Sequence, residues 1–237
     1  ALLWVLRGNP WRKMADTKPE RTRMAIEELG TSFVKLGQIL STRADLLPPA
    51  YTKELSKLQN SIKPLPPEVM KKVVSDELGH PADEVFRSFE PNPIGVASIG
   101  QVYGCTQADG TELVLKVQKP GVPELVEEDM LILGRAAVSA TKNWKGAQQY
   151  DLVGIVHEMA DTIKTETNYI QEGHSAEYFA RFFEEDATIH IPKITWEFTT
   201  GRVIAMERIR GIGILDVESL DKAGFDRKEL AKRAVRS

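Results

Sequence analysis

Apolar residues recur at helical spacing through the first part of the chain. Over residues 18–46 they follow a helical period that Gly30 interrupts, a pattern that predicts one or two amphipathic helices. Consecutive prolines break the pattern, and further helices are predicted over residues 51–58 and 67–78. The first quarter of the chain is therefore predicted to be helical.

The period of the pattern then shortens to that of β-strands. Three short segments are rich in Val, Ile, Tyr and Leu and are predicted to be strands: residues 86–89, 98–105 and 112–118. The last two flank Ala108, Asp109 and Gly110, which form a hairpin turn signature. An antiparallel meander is therefore predicted.

Helices and a second pair of strands follow the meander. Helical spacing predicts a helix over residues 124–140 and one long helix over residues 152–183. Short strands are predicted over residues 195–198 and 203–206. This mixture of segregated helices and antiparallel strands indicates an α+β fold.

Composition and charge narrow the classes of partner. The 237 residues are 42% hydrophobic and 27% charged, ordinary values for a globular protein, and the formal net charge is -3. That charge provides no global basic field, so nucleic acid is not expected as a partner. The single cysteine, Cys105, excludes an internal disulfide and fits a reducing compartment. The four histidines lack paired metal-ligand spacing, so no metal site is predicted.

The two ends of the sequence are interpreted as cuts inside a longer chain. The opening residues 1–11 carry Arg7 and lack a small-residue cleavage site, unlike a signal peptide. Residues 228–237 have helix-forming composition, with no glycine, asparagine or proline to end the helix. No apolar run approaches the ~20 residues that a membrane-spanning helix needs.

The most informative stretch is a small-residue loop within residues 93–103, followed by Lys116 on the next predicted strand. Small residues let backbone N–H groups approach phosphate oxygens, and a lysine on a neighbouring strand can neutralise phosphate charge. The alternative is structural, in which Gly95 and Gly100 serve strand bulges and Lys116 is an edge-strand charge.

A lysine on an apolar strand needs a partner, because burying an unpaired ammonium is costly. Glu172, on the predicted long helix, is the candidate partner. Asn168 lies four residues earlier and so on the same helix face, whereas Glu166 points elsewhere on an ideal helix. The alternative is that these residues form a solvated helix face.

Lys35 and Gln38 flank Gly37 within a predicted helix. The glycine permits close backbone packing, and the helix presents the two long polar side chains together. On composition alone the same residues could form a surface patch. Separately, Glu207 ends a predicted strand ahead of Gly211, as a hinge segment would.

Taken together, these stretches resemble the UbiB/AarF family of atypical kinases over essentially the whole chain. Residues 33–48 resemble the family's Lys-x-Gly-Gln signature, and residues 97–101 resemble its alanine-rich nucleotide loop. The resemblance implies an α+β fold with a protein-kinase-like small lobe. It divides the chain into a helical extension (1–85), the nucleotide-binding small lobe (86–210) and the first helices of a truncated large lobe (211–237).

The resemblance also implies roles for single residues. Lys116 is expected to face the α and β phosphates of ATP or ADP with Glu172 as its partner, and Glu166 matches the first acid of the family's Glu-x-Asp motif. Lys35 and Gln38 are expected to restrain phosphotransfer, because the family's Lys-x-Gly-Gln helix folds over the active site. The expected nucleotide contacts are Ala97, Ser98, Ile99, Gly100 and Gln101, with Glu207 and Ile209 in a hinge that holds adenine through its backbone.

The sequence departs from the family pattern at several positions. Asn168 replaces the aspartate of the Glu-x-Asp motif, Gly95 and Val96 replace alanines, and Ser175 replaces an asparagine. A catalytic-loop Asp with its following Asn and an Asp-Phe-Gly sequence are absent before Ser237. This segment alone is therefore not expected to transfer phosphate, and Mg²⁺ is expected only with the large lobe.

Three functional hypotheses follow. The first is an ATP-binding kinase or ATPase that supports the biosynthesis of ubiquinone or another prenyl lipid, with a nucleotide and a prenyl-quinone or lipid as partners. The second is a non-catalytic nucleotide- or lipid-binding scaffold, and the third an all-helical adaptor without a nucleotide site. The expected location is cytoplasmic or peripheral to the inner face of a bacterial membrane, or organellar in a eukaryote, with any membrane contact made by segments outside this sequence.

Overall fold

A computed structural model describes residues 17–59, 64–143, 148 and 151–236. The chain divides into two compact units, Ala1–Glu207 and Arg208–Ser237. The opening segment that was interpreted as an internal cut, residues 1–11, lies outside the described residues. The division into three regions stays a prediction.

The amino-terminal part of the first unit is helical, as the pattern predicts. Its elements are α1 (Lys18–Leu29), α2 (Thr31–Thr42), α3 (Pro49–Leu55) and a 3-10 turn (Ser56–Gln59). Thr17 caps α1 by accepting a hydrogen bond from the Glu20 N–H, and Gly30, with φ 103°, separates α1 from α2. Val34, Leu55 and Leu58 form the buried centre of this small bundle.

Ion pairs reinforce this amino-terminal bundle. The Arg23 guanidinium lies 2.9 Å from one Glu54 carboxylate oxygen, and the Lys57 ammonium lies 2.6 Å from the other. The hydrogen bond from Lys57, followed by that from Arg23, lowers the pKa of Glu54 below its ordinary value of 4.5. The pairs tie α3 to α1 and to the 3-10 turn.

An antiparallel sheet forms the centre of the first unit. Its strands are β1 (Ser88–Phe89), β2 (Gly95–Val96), β3 (Gly100–Thr106), β4 (Glu112–Gln118) and β5 (Val203–Glu207). They lie in the order β1-β3-β4-β5, and β2 also pairs with β3. The predicted hairpin between β3 and β4 is confirmed, with Gly110 at φ 90° in its turn.

One face of the sheet is covered by α4 (Pro67–Leu78) and α5 (Ala82–Val85). Val74 of α4 packs against Tyr103 and Leu115 of the sheet in a core cluster, and all three are fully buried. Because side chains alternate along a strand, Lys116 and Gln118 of β4 project from the opposite face. Three further helices described in the first unit lie between β4 and β5 in the sequence.

Those helices are α6 (Val122–Asn143), α7 (Leu152–Glu166) and α8 (Tyr169–Phe182). The prediction of one long helix over residues 152–183 is wrong, because the chain breaks at Thr167 and Asn168. Asn168 has an extended backbone, and its side-chain oxygen accepts a hydrogen bond from the Gln171 N–H at 3.3 Å. As the N-cap of α8 it does not share a helix face with Glu172 in the way that was predicted.

The predicted strand over residues 195–198 is also wrong. Trp196–Phe198 forms a 3-10 turn, and just before it Ile194 makes an isolated bridge to Met206 of β5. The Thr199 hydroxyl accepts a hydrogen bond from the Ala205 N–H at 3.1 Å. The Thr199 side chain thereby pairs with the Ala205 N–H, a donor that the backbone of a continuous neighbouring strand would otherwise have used.

The second unit contains α9 (Val217–Lys222) and α10 (Arg227–Arg236). Asp216 caps α9 by accepting a hydrogen bond from the Ser219 N–H at 3.1 Å. Leu220 is the one buried hydrophobic side chain of this unit among the residues that the structure describes. None of the helices described in either unit combines the length and apolar character needed to span a bilayer.

Candidate nucleotide site

The predicted pair of Lys116 and Glu172 joins the sheet to α8. Lys116 lies on β4 opposite Val102, and its Nζ is 2.7 and 2.6 Å from the two Glu172 carboxylate oxygens. The side chains are 26% and 38% exposed, so the pair is accessible from solvent. Gln118, two residues along β4, donates from Nε2 to the Thr167 carbonyl at 3.0 Å and fixes the break between α7 and α8.

Tyr169, at the start of α8, lies beside this pair and was not identified from the sequence. Its ring centroid is 4.7 Å from Lys116 Nζ, close enough for a cation–π interaction. Burial, followed by the charges of Glu172 and Glu166, raises the pKa of the Tyr169 hydroxyl above its ordinary value. In the described part of the chain this buried hydroxyl has no hydrogen-bond partner.

The predicted nucleotide loop is the turn of the β2–β3 hairpin. The Ala97 N–H donates to the Gly100 carbonyl at 2.8 Å and closes this turn. Among the described residues, the backbone N–H groups of Ser98 and Ile99 donate no hydrogen bond. Adjacent unpaired N–H groups in a tight turn suit a phosphate oxygen, so the loop fits the ligand that the sequence predicts for it.

Two side chains of the loop region point into the protein. Ile99 packs in a buried cluster with apolar side chains of α6 and α7. Gln101 is fully buried, its Oε1 accepts a hydrogen bond from the Leu65 N–H at 2.5 Å, and its Nε2 donates to the Tyr103 hydroxyl at 2.6 Å. The structure therefore does not bring the Ile99 and Gln101 side chains to the ligand side of the loop.

The Lys-x-Gly-Gln helix, α2, faces the loop. Lys35 Nζ lies 2.5 Å from Glu166 Oε2, which ties α2 to the end of α7. Gln38 Nε2 donates to the Leu58 carbonyl at 3.2 Å and holds α2 against the 3-10 turn. Lys35 and Gln38 line a cavity of about 460 Å³ whose opposite wall includes Ala97 and Ser98. The two predicted motifs thus border one cavity.

The two residues of the predicted hinge fall in different units. Glu207 ends β5, and its Oε2 lies 2.9 Å from His190 Nε2 and accepts a hydrogen bond from the Lys193 N–H at 3.2 Å. The hydrogen bond from Lys193, followed by that from His190, lowers the pKa of Glu207 below its ordinary value of 4.5. Ile209 belongs to the second unit and is exposed. Their contact with adenine stays a prediction.

A larger cavity, about 1070 Å³, lies between α6 and α7. Its lining combines Met130, Leu131 and Val138 with the cations Arg135, Lys142 and Lys164. It contains none of the predicted nucleotide contacts, so size alone does not make it the nucleotide site. Across the described ranges, no group of three or more His, Cys, Asp or Glu side chains could hold a metal ion.

Two residues of the site were not predicted from the sequence, and for one of them, Tyr169, the sequence contains a usable signal. Tyr169 lies three positions before Glu172, the spacing that places two residues on one helix face. A second missed residue, Lys119, gave no such signal, because strand alternation would turn it away from Lys116. Lys119 is nevertheless buried directly behind the loop, where its Nζ donates to the Ser98 carbonyl at 3.2 Å.

The arrangement contains chemical groups of the kinds that proteins use to recognise phosphate. It offers a lysine that a carboxylate holds in place, two unpaired loop N–H groups and an adjoining cavity. Groups of these kinds stabilise negative charge.

Residues 57–237 match the family described as the ABC1 atypical kinase-like domain. The chain is 38% identical over 229 residues to the probable protein kinase UbiB of Marinobacter nauticus, covering 95% of this chain and 42% of that protein. It is 36% identical over 226 residues to the probable protein kinase UbiB of Pseudomonas aeruginosa, with the same coverage. The chain thus spans less than half the length of these relatives.

A solved structure is also similar. It is the complex of Rv3197 with erythromycin from Mycobacterium tuberculosis, 28% identical in sequence, with a TM-score of 0.56. The similarity covers 76% of this chain and 45% of that one. The mixed fold of helices and antiparallel sheet is therefore shared with a solved protein.

Proposed function

Since the chain belongs to the ABC1 atypical kinase-like domain family, we propose that it carries the ATP- or ADP-binding region of an atypical kinase or ATPase. The full-length protein would use this region in the biosynthesis of ubiquinone or another prenyl lipid, as its similarity to UbiB proteins suggests. The observation that carries the proposal is the pair of Lys116 and Glu172 beside a loop with two unpaired N–H groups.

Each residue has a distinct part in this proposal. Lys116 would neutralise charge on the nucleotide phosphates, and Glu172 keeps its ammonium in position. The N–H groups of Ser98 and Ile99 would hold phosphate oxygens from the loop side. Magnesium, which accompanies nucleotides in kinases, would supply positive charge next to the phosphates, but the described residues include no group of three or more acids that could hold it.

Lys35 would act as a restraint on the same site. Through Glu166 it holds α2 against α7, and α2 forms the wall of the cavity opposite the loop. A phosphoryl acceptor that approached the loop from this side would meet α2. We therefore do not propose a protein as the phosphoryl acceptor. ATP hydrolysis or phosphorylation of a small molecule suits the site better.

Thermal unfolding of the full-length protein with ATP or ADP and magnesium tests the proposal. A ligand that binds only the folded state stabilises it by about 2.7 kcal/mol at a concentration of 100 Kd, which a melting curve resolves. We expect this stabilisation in the wild type and its loss in Lys116→Met, which keeps the length of the side chain and removes the charge. Lys72→Met is the control, because Lys72 is 73% exposed and pairs with Asp76 on α4.

Two outcomes would contradict nucleotide binding here. One is a well-folded wild type that ATP and ADP do not stabilise. The other is stabilisation that Lys116→Met and Lys72→Met leave equally intact, since binding would then not depend on the pair that carries the proposal.

A second candidate function is a non-catalytic nucleotide-dependent scaffold. The observation in its favour is Asn168, which is neutral where the family motif has an acid and whose side-chain oxygen already caps α8. Measurement of ATP hydrolysis by the full-length protein separates the two candidates. Turnover that Lys116→Met abolishes supports the enzyme, whereas binding without turnover supports the scaffold.

A further inference from the structure

A buried lysine lies behind the nucleotide loop. Lys119 is 9% exposed, directly after the end of β4, and its ammonium donates to the Ser98 carbonyl at 3.2 Å. In the described part of the chain, no carboxylate pairs with it and no second acceptor is within hydrogen-bond distance. An ammonium carries three donors, so two of them have no partner there.

Lys119 also bonds the loop through its backbone. Its N–H donates to the Ile99 carbonyl at 2.9 Å, so one residue holds two consecutive carbonyls of the loop. The C=O and N–H of a trans peptide unit point in opposite directions, and no peptide bond described here is cis. When the Ser98 carbonyl faces Lys119, the Ile99 N–H must therefore face away from it.

The Ile99 N–H is one of the two unpaired donors of the loop. Its direction is thus fixed from behind by a buried cation, whereas the Ile99 side chain is fixed by the cluster with α6 and α7. Burial disfavours the charged ammonium and lowers the pKa of Lys119. Negative charge bound at the loop would offset part of the cost of burying it.

We propose that Lys119 is a positioning residue of the nucleotide loop, whose ammonium holds the Ser98 carbonyl so that the Ile99 N–H faces a bound phosphate. This role rests on the proposed nucleotide site, and in it Lys119 affects recognition of the phosphates alone. It requires affinity for phosphate-bearing nucleotides to depend on Lys119, and affinity for the nucleoside to be independent of it.

Equilibrium binding of ATP, ADP and adenosine to the full-length protein tests this requirement. We expect Lys119→Met to raise the Kd for ATP and ADP about tenfold or more, the scale of one hydrogen bond to a charged group. The Kd for adenosine should stay within about twofold, since no lost contact reaches it. Lys119→Gln keeps a neutral N–H donor and should recover part of the ATP affinity.

The comparison of variants separates failure of this inference from failure of the proposed function. If Lys116→Met loses ATP binding while Lys119→Met keeps the wild-type ratio of ATP to adenosine affinity, Lys119 is only structural and the inference is overturned. If the wild type does not bind ATP, the proposed function fails and the assignment of Lys119 fails with it. Lys72→Met should match the wild type in every measurement.

Amide hydrogen exchange of the wild type gives a second test that does not depend on the folding of a variant. ATP should slow exchange at Ile99, because the bound phosphate would occupy its N–H. Exchange at Ile99 that ATP leaves unchanged, in a protein that binds ATP, would overturn the inference even if Lys119→Met failed to fold.

Discussion

Gly100 shows how closely the residues of the candidate site are packed. A methyl group at this position would lie 2.6 Å from the Tyr169 hydroxyl oxygen and 2.9 Å from the Val117 carbonyl oxygen. Real Cβ atoms do not approach other atoms this closely, and the Val117 oxygen belongs to the backbone of β4 and cannot swing aside. Gly100 is therefore required by packing, whatever ligand the loop binds.

We expect Gly100→Ala to destabilise the protein by about 1–3 kcal/mol, the usual cost of inserting a methyl group into a filled space. Chemical denaturation followed by circular dichroism measures this change. Gly95→Ala is the matched control on the other strand of the hairpin, because its methyl group would be 3.9 Å from the nearest atoms, both on Val102. Equal stabilities of the two variants would show that the loop yields at Gly100.

At the scale of elements, the sequence pattern correctly predicted the helices and strands whose formation depends on residues close together in the sequence. Helices α1 and α4, the β3–β4 hairpin and the position of Lys116 on a strand all follow from periodicity and turn residues. The break between α7 and α8 was missed, although Asn168 with Gln171 three residues later is a helix-start signature. The apolar periodicity on both sides of the break concealed that signal.

Contacts between residues far apart in the sequence could not be predicted from it. Gln118 meets the Thr167 carbonyl and Gln101 meets Leu65 across 49 and 36 residues, and neither contact follows from a local pattern. The residue pattern singled out Lys116, Glu172 and the loop, and the resemblance to a family added their expected roles, but neither identified Lys119, which no quoted motif contains. The two site residues that were not predicted, Tyr169 and Lys119, are both buried.

The tie between α2 and α7 gives a prediction at this scale. We expect Lys35→Ala to change nucleotide affinity or raise ATP turnover in the full-length protein, because it frees the helix that walls the cavity. Glu166→Gln should have the same direction of effect, and the double variant should add little to either. A double-mutant cycle on the free energy of unfolding should give an interaction energy of about 0.2–1 kcal/mol for this partly exposed pair.

Two results would contradict this restraint. One is wild-type affinity and turnover in both single variants. The other is full additivity of their effects, which would mean that Lys35 and Glu166 act separately in spite of their contact. Lys72→Ala removes an exposed ion pair on α4 and should leave nucleotide affinity unchanged.

At the scale of the whole molecule, the two units differ in how much apolar surface they bury. The first unit has cores on both sides of its sheet, whereas Leu220 is the single buried hydrophobic residue of the described part of the second. Leu215 and Val235 of the second unit are 93% and 88% exposed. With so little burial, the helices of the second unit have little to offset their loss of conformational entropy.

We therefore expect hydrogen exchange in the 237-residue chain to be fastest in the second unit. Amides of α9 and α10 should exchange through local opening, whereas those of β3 and β4 should exchange only with global unfolding of the first unit. Exchange measured by mass spectrometry at increasing denaturant separates the two classes. Equal protection would show that the second unit is stabilised by more than the burial of Leu220.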